Sequence, residues 1–132
     1  MSELLVMESL HKHMASLGAM QHSLAPKSFV IGYKPLTYYG KPLPKFATLH
    51  GGKKYRCLVL HVDAGKPSST KGKEIQKVVQ GELQFDIASC RKMPLKAQET
   101  YIPFEVLDSK AKLDFVKEII TSLYDKIQEV HL

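Results

Sequence analysis

A long apolar stripe near the end of the chain limits what the rest of the sequence can fold into. Its members recur at steps of three and four, which is the spacing of one face of an α-helix. Asp108 or Ser109 stands where such a helix would take its N-cap. Each large apolar side chain contributes about 1.5 to 3 kcal/mol when fully buried, so this helix must pack against a second apolar layer. The stripe consists of Leu113, Val116, Ile119, Ile120, Leu123, Ile127 and Val130.

A second helix is predicted at the start of the chain, from about Glu3 to Leu17. Gly18 follows at the position of a C-terminal cap. Pro26, within the stretch HSLAPK, cannot sit in a helix interior, so the chain must have left the helix before it. The apolar residues that define this helix face are Met7, Leu10, Met14 and Leu17.

A β-hairpin is predicted in the middle of the chain. The run 45–50, KFATLH, and the run 53–63, KKYRCLVLHVD, are both rich in β-forming residues. Gly51 and Gly52 lie between them and suit a tight two-residue turn. A further short strand is predicted at 28–33, SFVIGY. The strand after the turn is apolar on both of its faces, which is typical of a central strand.

Two more strands are predicted after a short helix. The run 74–80, EIQKVVQ, predicts a helix of one or two turns. The run 83–87, LQFDI, alternates apolar with polar residues, which is typical of a half-buried strand. The run 102–106, IPFEV, alternates in the same way, and Pro103 favours an edge position for it because proline donates no hydrogen bond.

These elements predict a single α+β domain spanning residues 1–132, in the order α-β-β-β-α-β-β-α. About five strands would form a mostly antiparallel sheet, with helices packed on one face. The chain contains neither an internal repeat nor a linker long enough to divide it.

The composition predicts a soluble cytoplasmic protein with no membrane association. No apolar run approaches the roughly 18 residues that span a bilayer, and the start MSELLVMESLHKH lacks the order of a signal peptide. Cys57 and Cys90 are too few for a secreted disulfide framework, so both are expected to be thiols.

The positive charge is concentrated in one third of the chain. The formal net charge is +6, and residues 27–73 hold ten basic residues and only Asp63 as an acid, a local net charge of +9. Residues 1–26 carry −1 and residues 74–132 carry −2. Clustered cations attract phosphates and speed association with polyanions, so this segment predicts an anionic partner.

Tyrosines are interleaved with these cations, which is the mixture that sequence-tolerant nucleic-acid surfaces use. Lysines would contact phosphates and tyrosines would stack on exposed bases. The alternative is that the tyrosines pack in strands while the lysines keep the sheet edges in solution. The predicted binding residues are Lys34, Tyr38, Tyr39, Lys41, Lys45, Lys53, Lys54, Arg56, Lys71 and Lys73.

No catalytic residue, metal ligand or cofactor is predicted. His11 and His13 point away from each other on a helix, and Cys57 and His61 stand about 13 Å apart along a strand, too far to share a metal ion. Cys90 is the best nucleophile candidate because Arg91 and Lys92 beside it favour a thiolate, but a structural cysteine is the preferred interpretation. The loop GKPSSTKGK lacks the spacing of a nucleotide-binding phosphate loop.

The stretch YKPLTYYGKPLPKFATLHGGKKYRCLVLHV, residues 33–62, resembles the YdhG-like family of small bacterial domains of unknown function. The resemblance rests on a small hairpin with the core aromatic-Gly-Lys-Pro-Leu and on the strand that follows. Downstream, YIPFEVLDSKAKLDFVKEIITSLYDKI is more similar to the closing strand and helix of the MmcQ/YjbR proteins. The resemblance implies an α+β fold and a cytoplasmic accessory protein, and it implies no catalytic residues. The matching positions are Tyr33, Pro35, Tyr39, Gly40, Lys41, Pro42, Leu43, Phe46 and Ala47.

The favoured function is therefore non-enzymatic binding of an anionic partner, nucleic acid first among them, through the basic region 27–73. A protein-interaction or small-ligand domain is the alternative. It could be a homodimer that uses the groove between the sheet and the last helix. An enzyme that uses Cys90 or a histidine is the third interpretation.

Overall fold

The computed structural model of the protein describes residues 2–25, 27, 29–52, 56–90 and 96–131. Both predicted terminal helices are present, and the first has the predicted bounds. The side chains of Ser2 and Ser109 cap them by accepting hydrogen bonds from Leu5 N and Lys112 N. The elements are α1 Glu3–Leu17, β1 Met20–Ala25, β2 Val30–Pro35, β3 Ala47–Gly51, β4 Arg56–His61, α2 Lys71–Leu83, α3 Ile87–Cys90, β5 Glu99–Pro103, a 3₁₀ turn Phe104–Val106, and α4 Lys110–Val130.

The five strands form one sheet in the order β1-β2-β3-β4-β5, and each strand pairs antiparallel with the next. The α+β class and the five-stranded antiparallel sheet are thereby confirmed. The order along the chain differs from the prediction in detail, because four strands precede α2 and only one follows it. As predicted, β4 has a strand on either side of it. The strand predicted at 102–106 does lie at an edge, but its bounds are wrong: β5 is Glu99–Pro103, and Phe104–Val106 form the 3₁₀ turn.

The strand β1 is missing from the sequence prediction. Residues 20–25 are almost entirely exposed, so they show no alternation of apolar and polar residues. Pairing with β2 makes this segment a strand, since Ser23 lies opposite Gly32 and Ala25 lies opposite Val30. A local pattern cannot reveal a strand whose order comes from its neighbour.

The predicted strand 83–87 is wrong. Helix α2 runs on past Gly81, and Leu83 is the last buried residue of a helix face spaced at steps of four, three and four. Gln84, with φ of 56°, ends the helix, and its N–H bonds to the carbonyl of Gln80. The apparent alternation therefore joins the end of one helix to the start of another. The buried face comprises Gly72, Gln76, Val79 and Leu83.

The turn of the central hairpin is also longer than predicted. Gly51 belongs to β3 and pairs with Arg56 of β4, so four residues rather than two glycines connect the strands. Of these four, residues 53–55 lie outside the described part of the chain.

The two faces of the sheet have different covers. On the first face, α1 and α4 pack over Leu49, Leu58 and Ile102. We call the opposite side the second face. There Phe85, just before α3, and Ile87, its first residue, pack with Cys57, Val59 and Tyr101. The second face is therefore apolar near β5 and polar towards β1, where Ser23, Gly32, Lys34 and Thr48 alternate with core residues.

The β5 edge is closed by a side chain of α2. Gln76 Nε2 donates to the carbonyl of Tyr101 at 2.9 Å, and Tyr101 N donates to Gln76 Oε1 at 2.6 Å. Thr100 Oγ1 donates to Gly72 O at 2.7 Å. The amide of Gln76 thus takes the place that a neighbouring strand would occupy.

Among the helices described, none is long and apolar enough to cross a membrane.

Candidate functional site

A small hairpin protrudes where β2 ends, and we call residues 36–42 the tyrosine hairpin. Leu36 and Pro42 form an isolated antiparallel bridge. Inside it, Gly40 N donates to Thr37 O at 2.9 Å and Thr37 N donates to Lys41 O at 2.8 Å. Gly40 has a φ of 80°, which glycine adopts without the cost that other residues bear. The tip of this hairpin therefore has a defined backbone.

Tyr38 and Tyr39 form the tip of the tyrosine hairpin and are 88% and 91% exposed. Their rings meet edge to face, with centroids 5.3 Å apart. The sequence left open whether these tyrosines pack in a strand. They lie in no strand and are not buried, so core packing does not explain two aromatic rings at this position.

The base of the tyrosine hairpin is held by three elements. Leu36 N donates to Ala19 O at 3.2 Å, and Gln128 Nε2 of α4 donates to Leu36 O at 3.2 Å. Leu43 N donates to Pro35 O at 2.8 Å. These bonds fix the direction in which the tip projects from the sheet.

Two lysines lie beside the tyrosine hairpin on the second face. Lys34 is in β2 and points away from the core, because its neighbours Tyr33 and Pro35 are buried. The stem of Lys45 crosses β2 over Gly32, where an added Cβ would lie 2.7 Å from Lys45 Cε. A glycine at position 32 therefore makes room for this lysine.

The structure divides the predicted basic region. Arg56 begins β4 at the opposite end of the sheet, and its Nη1 is 3.1 Å from Glu3 Oε2. Lys71 and Lys73 begin α2 beside β5, three strands and about 14 Å from β2. Lys53 and Lys54 lie outside the described residues. Five predicted residues remain on β2, over it or in the hairpin that follows it, and we call them the tyrosine–lysine site: Lys34, Tyr38, Tyr39, Lys41 and Lys45.

A polar network that the sequence analysis missed lies on the second face next to this site. His61 Nε2 is 2.8 Å from Thr48 Oγ1, and His61 Nδ1 is 2.5 Å from Glu99 Oε2. Tyr101 Oη donates to Glu99 Oε1 at 2.7 Å. Because a carboxylate only accepts, His61 carries its proton on Nδ1 and Nε2 accepts from Thr48. Only the register of three strands brings these residues together.

Burial lowers the pKa of His61, while the nearby Glu99 opposes this shift and Lys45 adds to it. Burial also raises the pKa of Tyr101, assisted by its hydrogen bond to Glu99. Both ring nitrogens of His61 and both oxygens of Glu99 are already hydrogen-bonded within the network. The network therefore ties β3, β4 and β5 together.

The thiol chemistry considered for Cys90 finds little support. Cys90 ends α3, and burial together with the nearby Glu105 raises its pKa. A raised pKa reduces the thiolate fraction on which reactivity depends. Arg91 and Lys92 lie outside the described residues.

Within the part of the chain that is described, no group of three His, Cys, Asp or Glu side chains could hold a metal ion.

An open groove of about 500 Å³ lies along α4, and His13 of α1 lines one end of it. At its head, His13 Nε2 is 2.9 Å from Thr121 Oγ1 and 3.0 Å from Lys117 O. Both acids and bases line it, including Lys117, Asp125 and Glu129. The groove therefore has no single charge preference.

Comparison of the chain with protein-family models, with curated proteins and with solved structures finds no match in any of the three.

Proposed function

We propose that this protein binds single-stranded nucleic acid through the tyrosine–lysine site. The observation that carries the proposal is the nearly complete exposure of Tyr38 and Tyr39 at the tip of a hydrogen-bonded hairpin. Exposed aromatic rings offer stacking platforms to unpaired bases, at about 1 to 3 kcal/mol for each base.

The charges around the two rings support the same partner. Lys34, Lys41 and Lys45 lie within twelve positions, 34 to 45, that contain no Asp or Glu. A nucleic-acid backbone would find cations beside the stacking platform. Because each phosphate contact releases counterions, three contacts with a single strand give a salt slope of about −2.

Single strands suit this geometry better than duplexes. Tyr38 and Tyr39 present their exposed rings at the tip of a short hairpin. Stacking on their faces requires bases that are not already paired.

The proposed compartment is the cytoplasm, where cysteines such as Cys90 stay reduced.

The test measures fluorescence anisotropy of labelled oligodeoxythymidine, oligouridine and a blunt duplex across a salt series. Both single strands should bind more tightly than the duplex, and the logarithm of affinity should fall linearly with the logarithm of salt concentration. The double variant Tyr38→Ala/Tyr39→Ala removes two stacking platforms, about 2 kcal/mol or more, and should lose about 30-fold or more in affinity. No binding of either strand at low salt would refute the proposal.

Matched variants separate stacking from charge. Tyr38→Phe/Tyr39→Phe keeps both ring faces and should bind nearly as well as the original protein. Lys41→Ala should reduce the salt slope by about 0.7, whereas Lys77→Ala, which removes an exposed lysine on α2, should leave it unchanged. An equal effect of Lys41→Ala and Lys77→Ala would indicate attraction by net charge alone and contradict a site at the hairpin.

A further inference from the structure

The two edge strands of the sheet differ in what covers their outer backbone groups. The β5 edge is closed by the Gln76 amide of α2, as described above. Strand β1 forms the other edge, and no described strand or helix pairs with its outer side. Proteins usually protect such an edge with charges, proline, a bulge or a cover, because it can template pairing with another strand.

The pairing of β1 with β2 shows which backbone N–H and C=O groups of β1 point outward. Leu36 N donates to Ala19 O, and bonded pairs recur at every second residue of an antiparallel ladder. The next pair, Met20 opposite Pro35, therefore exchanges no backbone hydrogen bonds, which suits Pro35 because it lacks an N–H. The backbone groups of Met20, His22 and Leu24 therefore face away from β2.

This edge is also the least charged part of the sequence. The fourteen positions from 13 to 26 contain no Lys, Arg, Asp or Glu, in a chain where 24% of residues are charged. No other stretch between charged residues is longer than seven positions. Two copies with a net charge of +6 each could meet here without bringing lysines face to face.

Exposed apolar side chains accompany the edge on the helix-covered face. Leu24 is 67% exposed and projects on the same side of β1 as His22, whose ring contacts that of His11 on α1. Leu4, two turns before His11, is 75% exposed at the same end of the molecule. A partner strand on β1 would cover part of this apolar surface.

We infer that the protein forms a two-fold symmetric dimer in which the β1 edges of two copies pair antiparallel. The outward groups at 20, 22 and 24 are symmetric about His22, so His22 lies opposite His22 of the second copy, and Met20 lies opposite Leu24. Each of these three pairs can exchange two backbone hydrogen bonds. The two sheets then continue as one sheet of ten strands, and this dimer does not depend on nucleic-acid binding.

Sedimentation velocity over a wide concentration series tests the assembly. The mass should rise towards twice the 14.9 kDa of one chain. His22→Lys places two like charges directly opposite each other and should weaken association by about fivefold. Val78→Lys adds the same charge on α2 and should not weaken it. A monomer at every concentration would overturn the dimer, as would equal effects of the two lysines.

Disulfide trapping tests the register itself. In a Cys90→Ser background, His22→Cys places two thiols with Cα atoms about 5.5 Å apart across the dyad, within disulfide reach. Leu24→Cys is the control, because its two copies would be offset by about 13 Å along the strands. Oxidation should cross-link the first variant and not the second. Cross-linking of Leu24→Cys in preference to His22→Cys, or of neither variant, would refute this pairing.

Discussion

The imidazole Nδ1 of His61 lies 2.5 Å from Oε2 of Glu99 across the pair of strands β4 and β5. This contact belongs to a network that also includes Thr48 and Tyr101. It lies on the second face, where the charge of Lys45 acts on His61.

The pKa of His61 predicts how stability depends on pH. Burial lowers its pKa in the folded protein, and burial likewise lowers that of His13. Both groups therefore bind protons more readily when unfolded, so stability is fully present above the usual histidine value of about 6.5 and falls as pH drops below it. Denaturant unfolding between about pH 7.5 and about pH 5.5 should show this decline.

The double variant His13→Gln/His61→Gln should lose most of that pH dependence, whatever its stability at neutral pH. Stability that stays constant or rises on acidification of the original protein would contradict the assigned direction.

Removing the side chain that closes the β5 edge should destabilise the fold. Gln76→Ala leaves the N–H and carbonyl of Tyr101 without their partner in a buried setting, which costs about 1 to 3 kcal/mol. Chemical denaturation measures the change. Lys77→Ala, at the next and exposed position of α2, should change the free energy of unfolding by about 0.5 kcal/mol at most. If both variants unfold alike, the Gln76 bonds contribute nothing to stability.

Two glycines of α2 should respond in opposite directions to the same substitution. A Cβ at Gly72 would lie 2.2 Å from Glu99 N, so Gly72→Ala must push α2 away from β5 and should cost about 1 to 3 kcal/mol. A Cβ at Gly81 meets nothing within 4 Å, so Gly81→Ala should stabilise the helix by about 0.5 to 1 kcal/mol. Thermal unfolding of the two variants should move the midpoint down and up, and a shift in the same direction would disprove the packing argument.

The exposed tyrosines should contribute little to folding. Tyr38→Ala/Tyr39→Ala should change the free energy of unfolding by less than about 1 kcal/mol, because neither ring is buried. Phe46→Ala, which removes a core ring, should cost about 3 to 5 kcal/mol. A large loss of stability in the tyrosine variant would assign these rings a structural role and weaken the proposed function.

Cys90 should react slowly at neutral pH. Its raised pKa leaves a small thiolate fraction, so its alkylation rate should be lower than that of glutathione and should increase as the solution becomes alkaline. Mass spectrometry after timed alkylation can follow Cys90 separately from the buried Cys57. Rapid modification at neutral pH would reopen the enzymatic interpretation.

Local patterns predicted the parts of the fold that depend on neighbours along the chain. The bounds of α1 and the interior position of β4 in the sheet follow from spacing within single segments. The strand predicted at 83–87 failed because two helix ends can imitate alternation over five residues. Strand β1 escaped prediction because pairing alone orders it.

The amino-acid sequence by itself determined the helix faces, the hairpin strands and the concentration of cations in residues 27–73, since each depends on residue type and spacing. Tertiary structure decided which of those cations lie together: it separated Arg56 from the tyrosine hairpin and brought Lys34 and Lys45 to one face. It also assembled His61 with Thr48 and Glu99, whose positions along the chain are far apart. The reason is strand register, because a shift of one residue would turn every side chain of a strand to the other face.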